Sequence, residues 1–246
     1  MSALSAGEKA RAEAIAKRNW LFLKGVVSPD GVPAADRPEV AFAGRSNVGK
    51  SSLINALLAQ NGLARTSNTP GRTQEINFFT AGEEAMRAYV VDLPGYGYAK
   101  APKKTVAQWT NLIMSYLRGR PNLKRVFLLI DARHGIKATD AQVMELLDDA
   151  AVSYLAVLTK LDKLNRDDQQ RVADKTRASL DKRVAAYPDL MQTSTLKGWG
   201  LDEARFELAN ALEISPALLN LIQHLLPREA LNQVQGCGCF RGHPHA

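Results

Sequence analysis

The chain is poor in cysteine. Its only two, Cys237 and Cys239, are separated by a single residue. No disulfide framework can therefore staple the body of the protein, and a reducing compartment is the natural setting. It also lacks a long apolar run: stretches such as Val126 to Ile130 fall far short of a bilayer span. Nor does Met1 to Trp20 carry an unbroken apolar segment, because Glu8, Lys9, Arg11, Glu13, Lys17 and Arg18 interrupt it, so it does not read as a secretory signal. A cytoplasmic protein with no membrane partner is the expectation. What is present is ample core material: 46% of the 246 residues are hydrophobic, which excludes disorder throughout.

Acidic excess is absent too, and the formal net charge is +7. The charge is uneven. Residues 62–125 carry ten basic and four acidic side chains, whereas 126–246 carry 14 and 16. The basic members are Arg65, Arg72, Arg87, Lys100, Lys103, Lys104, Arg118, Arg120, Lys124 and Arg125. They suit either an ordinary solvated surface or a polyanion site.

Ala6 to Arg18 is rich in Ala, Glu, Lys and Arg and reads as a peripheral surface helix. After a proline-containing lead-in, Val40 to Ala43 suits a buried strand, and Leu53, Ile54, Leu57 and Leu58 share one face of a helix. Ile76 to Thr80 and Ala88 to Val91 read as a hairpin around Ala81 and Gly82. Helices are expected at 105–118, 139–149, 167–186 and 201–212, with strands at Val126 to Ile130, Tyr154 to Leu158 and near Leu190 to Thr193. This alternation makes an α/β fold, a mainly parallel sheet of about six strands with helices on both faces. The expected division is 1–38 as helix and lead-in, 39–212 as the main domain, and 213–246 as an extension. That extension begins with a helix over Pro216 to Leu226 and ends in a disordered tail.

Gly44-Arg45-Ser46-Asn47-Val48-Gly49-Lys50-Ser51 has the form G-x-x-x-x-G-K-S and sits between an expected strand and an expected helix. Glycines let backbone N–H groups and the helix N-terminus face phosphate oxygens. Lys50 supplies charge to the β and γ phosphates, and the Ser51 hydroxyl can ligate Mg2+. Asp92-Leu93-Pro94-Gly95 ends another apolar strand: its carboxylate can hold a Mg2+-bound water, and the Gly95 N–H can sense a γ-phosphate. Thr159-Lys160-Leu161-Asp162 is a T-K-x-D sequence. Asp162 can accept from N1–H and the exocyclic amine of guanine together, which adenine cannot match, while Lys160 lays its stem along the base. Thr159 keeps a hydroxyl where the usual residue is Asn, so a weaker bridge to the phosphate loop is expected. In Thr193-Ser194-Thr195 a backbone N–H can read guanine O6. Four such pieces, in order and each at a strand end, make a GTP site. T-K-x-D weighs against the rival class of a P-loop kinase or ATPase.

On these motifs, together with Asn68 to Gln74 and Asp92 to Tyr98, the chain resembles the EngB (YihA/YsxC) family of bacterial ribosome-assembly GTPases, within the TrmE-Era-EngA-EngB-septin-like class. The likeness spans residues 20–212. It implies a Ras-like P-loop fold and places the first switch at Gly71, Arg72, Thr73, Gln74 and Glu75, with Thr73 joining Ser51 and Asp92 around Mg2+ and acting with Lys50 in catalysis. It also implies work in large-subunit assembly, with ribosomal RNA and a large-subunit precursor as partners, and a role in cell division and septation. Ser194-Thr195 stands where the family usually has a Ser-Ser pair.

Tyr96 follows D-x-x-G, where many small GTPases use a glutamine to orient water, so slow intrinsic turnover is expected. A scaffold with negligible hydrolysis is the rival reading. Asn47 resembles the Asn that holds K+ in potassium-stimulated GTPases, or it simply stabilises the loop. Lys100, Lys103 and Lys104 are candidate RNA phosphate contacts, with solvated loop charges as the alternative. Cys237, Cys239, His243 and His245 are too tightly spaced for a zinc finger. Trp109 reads as helix packing, Trp199 lies near the base-reading loop without a role, and a monomer is expected.

Overall fold

The structure, a computed structural model, describes residues 4–64, 75–81, 87–97 and 103–214, with the side chains of the third helix described from residue 111 onward. The expected helix at 216–226 and the tail with its cysteines and histidines lie outside the described residues, as does the hairpin turn from Gly82.

Among the described residues, six α-helices and seven strands follow one another: α1 (Ala6–Ala16), β1 (Trp20–Val26), β2 (Glu39–Gly44), α2 (Lys50–Leu57), β3 (Ile76–Ala81), β4 (Tyr89–Asp92), α3 (Lys103–Gly119), β5 (Leu123–Asp131), α4 (Ala138–Asp149), β6 (Tyr154–Thr159), α5 (Arg166–Leu180), β7 (Ala186–Gln192) and α6 (Leu201–Ala211). The strand order is β1-β3-β4-β2-β5-β6-β7. β3 runs antiparallel to both its neighbours, and the β4-β2-β5-β6-β7 pairings are all parallel. The expected antiparallel pair of strands around residues 81–88 is therefore present.

β2 and β6 are buried along their whole length, because helices cover both faces of a parallel sheet. Alternate residues of β2 feed different cores. Val40 and Phe42 pack with α1, α2 and α6, while Ala41 and Ala43 pack with residues of α3, α4 and α5. α2 presents the expected stripe of Leu53, Ile54 and Leu57.

Three departures from the sequence reading have physical causes. The sheet gains a strand, because the lead-in pairs with β3 as an edge. α1 is no peripheral appendage: Ala12, Ala14 and Ile15 are buried, and Arg11 donates to Asn210 of α6 at 2.9 Å. Trp20 is fully buried, its indole N–H on the Ile15 carbonyl at 3.0 Å and its backbone bonded to the Gln60 amide. α5 stops at Leu180, short of the expected 186, since Asp148 of α4 accepts from Arg183 and from the Ala185 N–H and so turns the chain into β7. β7 then begins early and carries Pro188, which an edge strand tolerates.

Candidate functional site

The C-terminal ends of the parallel strands gather at one edge of the sheet, where β2 has a parallel neighbour on each side, the usual place for a ligand in an open α/β sheet. Gly44, Asp92, Asp131 and Thr159 end β2, β4, β5 and β6, and Thr193 follows β7.

The phosphate loop leaves β2 at Gly44 and enters α2 through Gly49, whose φ of +102° is open to glycine and strained for other residues. Asn47 takes φ 63°, a left-handed conformation that Asn tolerates well, which favours the loop-stabilising reading of this residue. Lys50 and Ser51 begin α2, and the Lys50 ammonium is ion-paired with the Asp92 carboxylate, both nearly buried.

The D-x-x-G turn is docked on this loop. The Ser46 N–H donates to the Tyr96 carbonyl at 3.0 Å, and the Tyr96 N–H donates to the Gly44 carbonyl at 3.3 Å. A side chain on Gly95 would meet Ser46 backbone atoms at 3.3 Å, so glycine is what permits the approach. The Tyr96 ring is buried, and its hydroxyl donates to Asp140 of α4 at 2.9 Å. Burial first, and then the neighbouring carboxylate, raise its pKa far above the ordinary phenol value. Arg45 Nε lies 3.5 Å from the same Asp140, and the Lys137 N–H donates to it at 2.8 Å.

The base-reading corner is equally tied. The Thr159 hydroxyl donates to the Val48 carbonyl at 2.7 Å, so the bridge that the loss of Asn put in doubt is made, by one donor. Lys160 sits at φ 59° and sends its ammonium to the Asn47 carbonyl at 2.5 Å and to Asp131 at 2.9 Å. Asp162 accepts from the Ser194 hydroxyl at 2.6 Å, and that hydroxyl in turn accepts the Lys197 N–H. The hydrogen bond from Ser194, aided by Lys163 and opposed by burial, holds the Asp162 carboxyl below the usual range. It is an ionised double acceptor at neutral pH. The Thr193 N–H is spent on Leu158 and the Ser194 N–H on Trp199. Among the described residues, that leaves Thr195 as the member of the trio whose N–H carries no such bond. Leu161 is buried beneath this loop, and Leu93 anchors the other with its N–H on the Phe42 carbonyl. Trp199 stays half-exposed beside Ser194.

Gly71, Arg72, Thr73 and Gln74 lie outside the described residues, and Glu75 is exposed just before β3. Lys100 also lies outside them. Lys103 and Lys104 begin α3, and their side chains, like that of Trp109, are among those not described. The basic surplus of residues 62–125 is partly spent inside. Arg120 pairs with the buried Glu39 at 2.5 Å, Arg125 pairs with Glu207 at 2.9 Å and covers the Tyr187 ring, and Lys124 pairs with Glu213. Three acids from outside the segment thus neutralise three of its cations.

Sequence reasoning missed Asp131 and Asp140. Asp131 ends β5 as Asp92 ends β4, and a carboxylate closing an apolar strand was the available signal. Burial works to raise its pKa, but hydrogen bonds from Arg133 and Lys160 outweigh it and hold the carboxyl well below the usual range. Asp140 carried no local signal. Among the described residues no three His, Cys, Asp or Glu side chains gather to hold a metal. The oxygen donors Ser51 and Asp92 beside the phosphate loop suit Mg2+ shared with a nucleotide's phosphates.

A family model described as 50S ribosome-binding GTPase matches residues 39–160. A probable GTP-binding protein EngB of Roseobacter denitrificans is 58% identical over 184 residues, covering 75% of this chain and 84% of the relative. Its counterpart in Bartonella bacilliformis is 54% identical over 201 residues, covering 79% and 94%. The crystal structure of a probable GTP-binding protein engB superposes with a TM-score of 0.55 at 22% identity, over 71% of this chain and 98% of that one. Era in complex with MgGDPNP and nucleotides 1506–1542 of 16S ribosomal RNA gives 0.55 at 21% identity, over 71% and 56%. Likeness at such identity speaks for the fold.

Proposed function

Since the chain belongs to the EngB family of GTP-binding proteins and is a P-loop GTPase, we propose that it is a Mg2+-dependent, slowly hydrolysing switch in assembly of the large ribosomal subunit. Ser51, Asp92 and, by family likeness, Thr73 hold the Mg2+, which neutralises phosphate charge when bound. Lys50 contributes the protein's own cation to that charge. Its ammonium is ion-paired with the Asp92 carboxylate, so the protein's cation and a carboxylate that would hold the metal lie side by side at the phosphate loop.

Tyr96 carries the reading of slow turnover. With its side chain buried against Asp140, position 96 offers no group to orient the attacking water. A ribosomal partner or an ion completes the site. A K+ held at Asn47 would show as higher turnover in KCl than in NaCl at equal ionic strength; the loop-stabilising role that its left-handed backbone favours predicts equal rates.

The match to a 50S ribosome-binding model supports the ribosomal assignment. Lys100, Lys103 and Lys104 are its proposed RNA phosphate contacts, with Arg118 exposed at the far end of α3. A cytoplasmic monomer with a family-implied role in septation completes the proposal. The test is co-sedimentation with ribosomal subunits in GDP and in a non-hydrolysable GTP analogue. Large-subunit particles retaining the protein only with the analogue, and losing it as salt rises, is the expected result. Equal retention in both nucleotides refutes the switch. A scaffold with negligible hydrolysis is the second reading, also favoured by the buried Tyr96. Phosphate release that stays at background even with particles present would select it.

A further inference from the structure

We infer that Asp131 is a positioning residue for guanine nucleotide: it holds the Lys160 ammonium against the phosphate loop and thereby sets how long the nucleotide stays bound. The inference rests on the guanine-binding reading of Lys160 and Asp162. The base loop and the phosphate loop are joined by two side-chain ties, Thr159 Oγ1 to the Val48 carbonyl and Lys160 Nζ to the Asn47 carbonyl. The first is short and buried. The second depends on a long, flexible side chain, about a quarter exposed, whose ordering costs entropy unless something fixes its end. Asp131 fixes it. Its Oδ2 takes Lys160 Nζ at 2.9 Å, and the carboxylate is itself immobile: β5 places it, its side chain is 4% exposed, and Arg133 grips both oxygens at 2.9 and 2.7 Å. The Lys160 stem is thus stretched across the mouth of the phosphate loop, its Cε 3.8 Å from where a Cβ on Gly49 would lie. A nucleotide whose phosphates lie in the loop and whose base lies at Asp162 has this stem along its path of departure. The left-handed backbone of Lys160, uncommon for a residue with a side chain, is the strain that such a placement requires.

The test is dissociation of a fluorescent N-methylanthraniloyl GDP from the full chain, chased with excess GDP. Asp131→Asn removes the charge and is expected to speed release about five- to tenfold. Lys160→Met keeps the apolar stem and loses the ammonium, with a similar gain. Because Asp131 acts through Lys160, the double variant should release no more than about twice as fast as Lys160→Met alone. Arg133→Ala loosens Asp131 without removing its charge, and should speed release by clearly less than Asp131→Asn does. An undiminished effect of Asp131→Asn in the Lys160→Met background, an unchanged rate in Asp131→Asn, or an Arg133→Ala rate as fast as Asp131→Asn each overturns the inference. Should Asp131→Asn not fold, Asp131→Ser carries the same comparison. Failure of the wild-type chain to bind the labelled GDP at all would instead strike the guanine-binding reading.

Discussion

Removing the Thr159 hydroxyl while keeping its shape, as in Thr159→Val, isolates the tie between the two halves of the nucleotide site. Thr159 Oγ1 lies 2.7 Å from the Val48 carbonyl and is buried, and Val48 is 1% exposed, so water cannot readily replace the lost donor. A buried acceptor stripped of its partner costs about 1–3 kcal/mol, more than the net worth of an ordinary hydrogen bond. The tie joins two loops that both contact nucleotide. Part of the cost therefore appears as global stability and part as nucleotide affinity. If the cost divides about evenly, about 0.5–1.5 kcal/mol falls on binding and the GDP dissociation constant rises about two- to twelvefold, at about 1.4 kcal/mol per decade. The other half lowers the melting temperature of the nucleotide-free chain by about 1–6 °C, at about 2–4 °C per kcal/mol for a domain of this size. Thr159→Ser keeps the hydroxyl and should stay near wild type in both measurements. Titration calorimetry with GDP and thermal melts of the three proteins make the comparison. A Thr159→Val chain within twofold in affinity and within about 1 °C in melting would refute the claim that a threonine hydroxyl does the work of the amide.

Asp162→Asn turns one acceptor into a donor facing the donors of guanine, and should weaken GDP binding by on the order of a hundredfold while improving binding of the xanthine nucleotide, read by competition against labelled GDP. Arg120→Ala strands the buried Glu39, which also accepts from the Tyr116 hydroxyl, and should cost about 3–5 kcal/mol by urea denaturation; Glu39→Gln in the same background should recover part of that loss. For Asp131 the folded carboxyl titrates below the ordinary aspartate range, so its stabilisation is complete above that range and is lost as pH falls through the depressed value. The stability gap between wild type and Asp131→Asn should accordingly be constant from pH 7 to about 5 and shrink below about 4, as followed by thermal melts; a gap that widens on acidification contradicts the assignment.

The phosphate loop, D-x-x-G and T-K-x-D could be read directly because each is a contiguous segment whose spacing alone puts the groups at one strand end. The parallel sheet was legible for a similar reason: the fully apolar runs of β2, β5 and β6 announce burial on both faces. Other features were not legible because they depend on residues far apart in the chain. The end of α5 is set by Asp148, 35 residues before Arg183. Arg120 and Glu39 are 81 residues apart. Nothing near either residue says that the arginine faces inward, so a tally of charge along the chain overstated the basic surface of residues 62–125.

What the sequence by itself determined is the chemistry on offer: a phosphate cradle, a cation at Lys50, carboxylates at Asp92 and Asp162, and a tyrosine where water would need orienting. What only the tertiary structure decided is how those groups are held. The threonine hydroxyl reaches the phosphate loop, Ser194 fixes Asp162, Asp131 anchors Lys160, and Asp140 draws Tyr96 into the core beside α4. Each of these is a contact between different strand ends or helices. Side-chain type specifies what a group can donate or accept, but only the packing of the sheet brings a partner within hydrogen-bonding distance and excludes the water that would otherwise take its place.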